Sequence, residues 1–253
     1  MLSGDLLAND TGTPTDTNPT RTDNAHQVVS ALALGESAAT IVDGFQVRSA
    51  HSGEFAVYRS GVDAIGSVEL ANLVVADNYS ARHGAGIDAS DSESNCPEVR
   101  NVVFSRNVAA RDGGGLRVRC SSGALVRDVS FFENWAANGA ALYNLAVADV
   151  VNATIANNSA IRGAIYSAED TELSLYNTVI LGNEGDFGGG LHAEGTRRLS
   201  VVNSLIAGNS AEYGAGLFSL GEVEFINSTI AFNLASEVGG GIVQSASLHS
   251  RSG

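Results

Sequence analysis

The chain has 253 residues, with 29 glycines, 20 asparagines and no lysine, and its 14 arginines against 28 acidic residues leave a formal net charge of −14. Its hydrophobic fraction of 44% is enough for a sizeable core, which excludes a disordered acidic tail. The charge balance leaves no basic patch for nucleic-acid phosphates. No apolar run approaches the ~20 residues of a membrane helix. The absence of lysine excludes lysine-dependent chemistry.

The first 39 residues are predicted to be a loop-rich segment. The stretch from Asn9 to Asp23 is rich in Thr, Asn, Pro and Asp, which favour turns. Met1 to Asp10 lacks the basic and apolar parts of a secretion signal. We therefore expect a truncated cap at 1–39, a repeat region at 40–245 and a C-terminal tail at 246–253, all belonging to a longer polypeptide.

One pattern recurs seven times in the repeat region: a large apolar residue, two variable residues and an asparagine. The spacing between successive asparagines is 24–29 residues, and a glycine-rich cluster ending in Ile or Leu follows each one. The asparagines are Asn78, Asn107, Asn134, Asn158, Asn183, Asn209 and Asn233. A second polar column, six residues earlier in each repeat, consists of Asn72, Asn101, Asp128, Asn152, Asn177, Asn203 and Asn227. An eighth, divergent repeat runs through residues 40–47, where Gly44 replaces the inner asparagine.

The repeat predicts an all-β fold, a single-stranded parallel β-helix (solenoid) of about eight coils of 24–29 residues. Its apolar segments are short, β-branched and alternating, which is the periodicity of strands. The Leu-x-x-Leu-x-Leu frame of a leucine-rich repeat is absent. Gly and Asn end every segment, and both tolerate left-handed turns. Each coil buries its inward side chains by stacking on neighbours ~4.8 Å away.

Stacking in register gives both asparagine columns a structural role, because identical amides can hydrogen-bond along the axis as a ladder. The same stacking places Cys96 and Cys120 on adjacent coils. Their positions relative to the ladder asparagines differ by three residues, which leaves both a disulfide and two free thiols open. A disulfide would fit an oxidising, extracellular compartment.

The repeat resembles that of the chlamydial polymorphic outer membrane proteins, which carry Phe-x-x-Asn and Gly-Gly-Ala-(Ile/Leu/Val) motifs. Residues 104–107 and 131–134 match the first motif, and the other repeats have Ile or Val in place of Phe. The chain is also similar to bacterial secreted proteins with right-handed parallel β-helix repeats, whose opening coil resembles residues 40–47. The resemblance covers roughly residues 40–245. It implies a right-handed helix and a surface adhesin or autotransporter passenger, located outside the cell or on the outer membrane.

The most suggestive candidate site is the column that follows each glycine-rich cluster. Alternation predicts that this column points outward, since the preceding Ile or Leu points inward. Its members are Asp88, Arg117, Tyr143, Tyr166, His192 and Phe218. Aromatic faces on a rigid sheet suit a glycan or a host-surface protein as partner, and stacking that only stabilises the sheet is the alternative.

Enzyme chemistry remains an alternative, because a polysaccharide lyase or glycoside hydrolase can also be built on this fold. A lyase would need Ca²⁺ held by clustered carboxylates and an arginine base. Asp88, Asp91 and Glu93 lie in one turn, and Arg117 and Arg119 follow one coil later. No histidine pair has metal-ligand spacing. We therefore expect a non-enzymatic binding module without a metal or cofactor, with a lyase and a structural stalk as the two alternatives.

Overall fold

The computed structural model of the chain describes residues 1–15, 17–21, 23–33, 40–53, 61–91 and 95–245. The described chain is almost entirely β-structure, with one short 3₁₀ helix at Pro19–Arg21. Every strand pair is parallel and joins a coil to the next, so three sheets run side by side along the axis. This is the solenoid that the repeat predicts.

The first and largest sheet has 13 strands. They are Leu2–Ser3, Thr40–Asp43, Gln46–Arg48, Val68–Ala76, Glu98–Ser105, Ala124–Phe132, Val147–Ala156, Glu172–Tyr176, Val179–Leu181, Arg198–Val202, Leu205–Ala207, Val223–Ile226 and Thr229–Ala231. We call it the long sheet. The outer polar column lies within it and bends each coil.

The second sheet has nine strands, and the last seven come directly after the glycine-rich clusters. They are Val29–Ala33, Val62–Gly66, Ile87–Ser90, Leu116–Arg119, Leu142–Asn144, Ile165–Ser167, Leu191–Ala193, Leu217–Ser219 and Ile242–Gln244. We call it the nine-stranded sheet.

The third face, which follows each ladder asparagine, is less regular. Its strands are His51–Ser52, Tyr79–Ser80, Val108–Asp112, Trp135–Asn138 and Ser159–Arg162, and then the pair Ser210–Tyr213 and Leu234–Val238. Isolated bridges through Glu184 and Phe187 connect the two groups. The third face therefore continues through the coil that lacks a strand of its own.

The interior is filled by apolar columns, one residue from each coil. The column that begins Val47, Val75, Phe104 and Phe131 is fully buried as far as Ile206, and the two phenylalanine rings stack at 4.5 Å between centroids. Buried columns also run through Leu70, on the other side of the bend in the long sheet, and through Leu116 in the nine-stranded sheet. Burial of these side chains, at roughly 1.5–3 kcal/mol each, is the main stabilising contribution of the stacked coils.

The first 39 residues contribute strands as well as loops. Leu2–Ser3 pairs with Gln46–Arg48, and Val29–Ala33 pairs with Val62–Gly66. Between them, the buried Arg21 donates a hydrogen bond to the Asp77 carbonyl at 2.9 Å. The segment is therefore stacked on the first coils, although its loops dominate the sequence. The predicted tail, 246–253, lies outside the described residues.

The inner asparagine ladder is continuous from Asn78 to Asn233. Each Nδ2 donates to the Oδ1 of the next asparagine at 2.9–3.0 Å. The same Oδ1 atoms accept the backbone N–H of the preceding asparagine, as in the bond from Asn107 N to Asn134 Oδ1 at 3.0 Å. Both polar atoms of the buried amide are therefore satisfied, which confirms the predicted ladder.

The outer column has a different basis. All seven of its residues have a positive φ between 49° and 56°, a conformation that Asn and Asp tolerate better than other side chains. Side-chain bonds link Asn101 to Asn72 at 2.6 Å, Asn152 to Asp128 at 2.9 Å and Asn177 to Asn152 at 3.2 Å, but none within the described residues continues to Asn203 or Asn227. The outer ladder is therefore partial, whereas the backbone bend is common to all seven residues.

Two details differ from the sequence prediction. Gly44, with a φ of 76°, occupies the outer column beside Asn72, and Ala50 takes the inner position, where its N–H donates to Asn78 Oδ1. The prediction that Gly44 replaces the inner asparagine is wrong, because the first coil keeps the bend and loses the ladder. The residue before each ladder asparagine is also left-handed, with φ of 52–64°. This column is Ser49, Asp77, Arg106, Glu133, Asn157, Gly182, Gly208 and Phe232.

Candidate functional site

The six residues of the candidate column lie in one row across the nine-stranded sheet. Strand pairing places Asp88, Arg117, Tyr143, Tyr166, His192 and Phe218 directly beside one another on successive coils. The row extends to Asp63 before Asp88 and to Val243 after Phe218. Their strand neighbours, such as Leu116 and Val118, belong to the core, so the row points away from the interior as alternation predicts.

Solvent nevertheless reaches little of this row. Asp88, Arg117, Tyr166 and His192 are all buried, and only Tyr143 and Phe218 are partly exposed. The cause is a second row of side chains that folds against the first. It consists of His83, Asp112, Asn138, Arg162, Phe187, Tyr213 and Val238, at the ends of the third-face strands. We call the cleft between the two rows the notch.

A sharp glycine turn forms the notch in every coil. Gly113 has a φ of 70°, and a Cβ atom added there would lie 2.8 Å from the Cβ of Arg117. Only glycine fits both the left-handed backbone and the close approach of the neighbouring row. The glycine-rich clusters therefore bring Asp112 opposite Arg117 and Phe187 opposite His192. Sequence reasoning found the first row and missed the second, whose members share no residue type.

Aromatic rings fill the C-terminal half of the notch. Tyr143, Tyr166, His192 and Phe218 stack in sequence with centroid separations of 5.0–5.2 Å and interplanar angles of 4–20°. Phe187 meets the edges of His192 and Phe218 from the opposite row and stacks on Tyr213. The ring faces are thus occupied by one another, which leaves ring edges and hydroxyl groups toward solvent.

Charged groups fill the N-terminal half. Arg117 lies 3.4 Å from the Asp88 carboxylate, and the His83 Nδ1 lies 2.8 Å from the Asp112 carboxylate. Asn138 also donates to Asp112 at 2.7 Å. Burial alone would raise the pKa of Asp112, but the hydrogen bonds from His83 and Asn138 outweigh it and hold that pKa below its usual value. This half of the notch is therefore polar, and its carboxylates are paired with Arg117, His83 and Asn138.

An open polar group lies where the aromatic half reaches solvent. The Tyr166 hydroxyl donates a short hydrogen bond to Glu194 Oε2, and Arg162 Nη1 lies 3.4 Å from the same oxygen. Glu194 and Arg162 are both partly exposed. Burial, followed by the bond to Glu194, raises the pKa of Tyr166. A shallow cavity beside Glu194 is lined by Glu169, Gly195, Leu220 and Ser245. We call Tyr166, Arg162 and Glu194 the polar lip.

His192 is the buried titratable group of the aromatic half. Its Nε2 lies 3.8 Å from Glu194 Oε2, and neither ring nitrogen has a hydrogen-bond partner in the described part of the chain. Burial lowers the pKa of His192 to about 4, although Glu194 acts in the opposite direction. The imidazole is therefore neutral near pH 7 and serves as a stacking ring.

The residues of the lyase alternative are dispersed. Asp88 is buried beside Arg117, whereas the half-buried Asp91 accepts hydrogen bonds from the backbone and hydroxyl of Ser121. Glu93 lies outside the described residues, and Arg119 is exposed on the next coil. The described residues contain no group of three His, Cys, Asp or Glu side chains able to hold a metal ion.

Cys96 and Cys120 are joined by a disulfide, with 5.7 Å between their Cα atoms. Seven residues separate Ser90 from Glu98, whereas four separate Arg119 from Ala124, and this difference of three equals the offset of the two cysteines from the ladder. None of the helices in the described ranges is long and apolar enough to cross a membrane.

Parallel coils, a buried amide ladder and an outward notch define the chain as a parallel β-solenoid repeat protein. Residues 60–250 match the sequence model of the family described as right handed beta helix region, and the chain belongs to that family. The prediction of a right-handed parallel β-helix of about eight coils is thereby confirmed. No curated protein and no solved structure matches the chain.

Proposed function

We propose that this β-helix is a secreted or surface-exposed binding module of adhesin type that holds a glycan along the aromatic half of the notch without turning it over. The polar lip is the observation on which the proposal rests. Tyr166, Arg162 and Glu194 present a hydroxyl, a guanidinium and a carboxylate beside one another at a partly exposed edge. Sugar hydroxyls bind through such mixed donors and acceptors.

The geometry of the solenoid favours an extended ligand. A linear glycan parallel to the axis would meet equivalent side-chain positions every ~4.8 Å. The stacked rings of Tyr143, Tyr166 and His192 are locked by their neighbours, so their edges are preorganised. The cavity beside Glu194 extends the same surface toward Leu220 and Ser245. Ligand contact through ring edges and hydroxyls replaces the face-on stacking that the sequence suggests.

Two further observations support a location outside the cell. The disulfide between Cys96 and Cys120 fits an oxidising compartment. The resemblance of the repeats to those of chlamydial polymorphic outer membrane proteins points to the surface adhesins of bacteria. Neither observation identifies the ligand, so binding to host-surface proteins is tested as well as binding to glycans.

The test is a glycan array, followed by titration of each hit with the double variant Tyr143→Phe, Tyr166→Phe. This variant keeps the ring stack and removes the two hydroxyls. We expect a loss of affinity of roughly five- to 150-fold, because each of the two lost hydrogen bonds contributes about 0.5–1.5 kcal/mol. Tyr176→Phe is the matched control, since Tyr176 is an exposed tyrosine of the long sheet. Equal affinity of the double variant and the control would place the binding surface elsewhere.

A structural stalk is the second candidate, and the mutual stacking of the ring faces favours it. A stalk would bind nothing on the array or on host-surface proteins. Turnover is measured separately, by incubating the protein with polyuronates and Ca²⁺ and following unsaturated products by ultraviolet absorbance. Product formation would replace the binding proposal with the lyase alternative.

A further inference from the structure

One exposed row on the third face is ordered by charge. It consists of the residue just before each member of the second notch row: Arg82, Arg111, Ala137, Ile161, Asp186, Glu212 and Glu237. Two positive charges come first, two uncharged residues follow, and three negative charges end the row. We call it the rim. Its charged members are all exposed, and Ile161 at the centre is 46% exposed.

Among the described residues, the rim lacks the ion pairs that compensate like charges on the long sheet. There too, strand register places Glu98 beside Glu69 and Arg127 beside Arg100. Each of these neighbours is compensated diagonally, because Arg100 pairs with Glu69 and Arg127 pairs with Glu98. On the rim, Arg82 lies beside Arg111, and the three acidic residues lie beside one another. Like charges directly opposite on neighbouring strands are destabilising. Within the described chain, none of the five charged rim residues takes part in an ion pair.

The positive end of the rim would face the negative end of a second rim that runs in the opposite direction, so the rim is complementary to a reversed copy of itself. When a second rim is laid antiparallel on the first, Arg82 faces Glu237, Arg111 faces Glu212, and Ile161 faces its own copy. The rim spans six coil steps, about 29 Å at ~4.8 Å per step. A two-fold axis through Ile161 therefore pairs the arginines of each chain with the glutamates of the other, at both ends of the rim, as an isologous interface requires.

We propose that the rim is the interface of an antiparallel homodimer, with Ile161 on the two-fold axis. The occupant is a second copy of this chain, chosen because the charge order matches itself and because Ile161, the large apolar residue of the rim, lies at the midpoint. Ion pairs in a partly solvated strip contribute modestly, so the dimer is weak and sensitive to salt. The proposal is independent of any glycan in the notch.

The first test compares charge reversals by sedimentation velocity over a range of protein concentrations. The wild type is expected to dimerise at low salt and to dissociate as NaCl is added. Arg111→Glu alone and Glu212→Arg alone each place like charges opposite one another twice in a homodimer, and we expect at least a tenfold weaker association. A mixture of the two single variants, or the double variant alone, restores every opposite-charge pair and should restore the dimer.

The second test locates the axis. In Ile161→Cys, two thiols meet across the two-fold axis, so mild oxidation should give a cross-linked dimer, whereas Asp186→Cys should not cross-link to its own copy. Melting curves identify any variant that fails to fold, and all substitutions are at exposed positions. A wild type that stays monomeric up to ~100 µM would overturn the proposal. Dimerisation that survives Arg111→Glu, or equal cross-linking at both cysteine positions, would also overturn it.

Discussion

The inner ladder and the outer column repeat with the same period and consist almost entirely of asparagine, yet they stabilise the fold in different ways. In the inner ladder, the Asn134 side chain is buried, donates to Phe104 O and Asn158 Oδ1, and accepts two bonds from Asn107. In the outer column, Asn177 is exposed, makes one side-chain bond and has a φ of 50°. The inner position needs the amide, whereas the outer position needs the backbone conformation. Burial decides which property of a repeated residue matters.

The largest effect is expected from Asn134→Ala, which tests the inner column. The substitution removes the acceptor of Asn107 N and a donor to the Phe104 carbonyl in a dry interior, whereas Asn107 Nδ2 keeps its bond to Val75 O. At about 1–3 kcal/mol for each of the two unsatisfied groups, the free energy of unfolding should fall by about 2–6 kcal/mol. Urea denaturation of the wild type and the variant measures this difference in the free energy of unfolding. A loss below ~1 kcal/mol would show that the ladder is dispensable.

The next largest effect is expected from His192, whose buried ring lacks, among the described residues, the hydrogen-bond partners that the ladder asparagines have. Its pKa of about 4 lies below the 6.5 of the unfolded chain, so the unfolded state binds the proton more tightly. The free energy of unfolding is therefore highest above about pH 6.5, where His192 is neutral in both states. It falls by on the order of 3 kcal/mol as the pH falls toward 4.

The matched variant for this prediction is His192→Phe, which continues the stack between Tyr166 and Phe218. It should flatten the pH dependence of stability between pH 4 and 6.5, measured by urea denaturation at each pH. The nearby Glu194 and Arg162 are retained in both proteins. Parallel pH profiles for the two proteins would contradict the proposed role of His192.

The smallest effect comes from the outer column. Asn177→Ala places a Cβ side chain without a local hydrogen bond in a left-handed conformation, and we expect a loss of about 1 kcal/mol. Asn177→Gly relieves the same conformation and should be close to neutral. Thermal melts of both variants check the order. If alanine and glycine were equally destabilising, the side-chain bond to Asn152 would matter more than the backbone.

The period of the repeat was sufficient to predict the sheets, the buried ladder and the row from Asp88 to Phe218, because stacking in register converts spacing into contact. The same logic could not reveal the left-handed column before each ladder asparagine. Arg106, Glu133 and Phe232 occupy it and carry no signal for a left-handed backbone, unlike Gly182 and Gly208 in the same column.

The notch shows the second limit of sequence reasoning. Alternation correctly predicts that Tyr166 and His192 point away from the interior, but their burial depends on Arg162 and Phe187 across a glycine turn. That contact joins two rows of different side-chain composition. It depends on the angle of the turn, which neither row encodes by its own spacing.

The ladder has a direction as well as a register. All six amide bonds point the same way, with each N–H directed toward the C-terminal coils. Aligned amides polarise one another, and their dipoles add along the axis with the positive end toward Asn233. The solenoid is therefore an electrically polar rod. Its acidic rim residues lie near the positive end and its arginines near the negative end, so the surface charges complement the dipole of the interior.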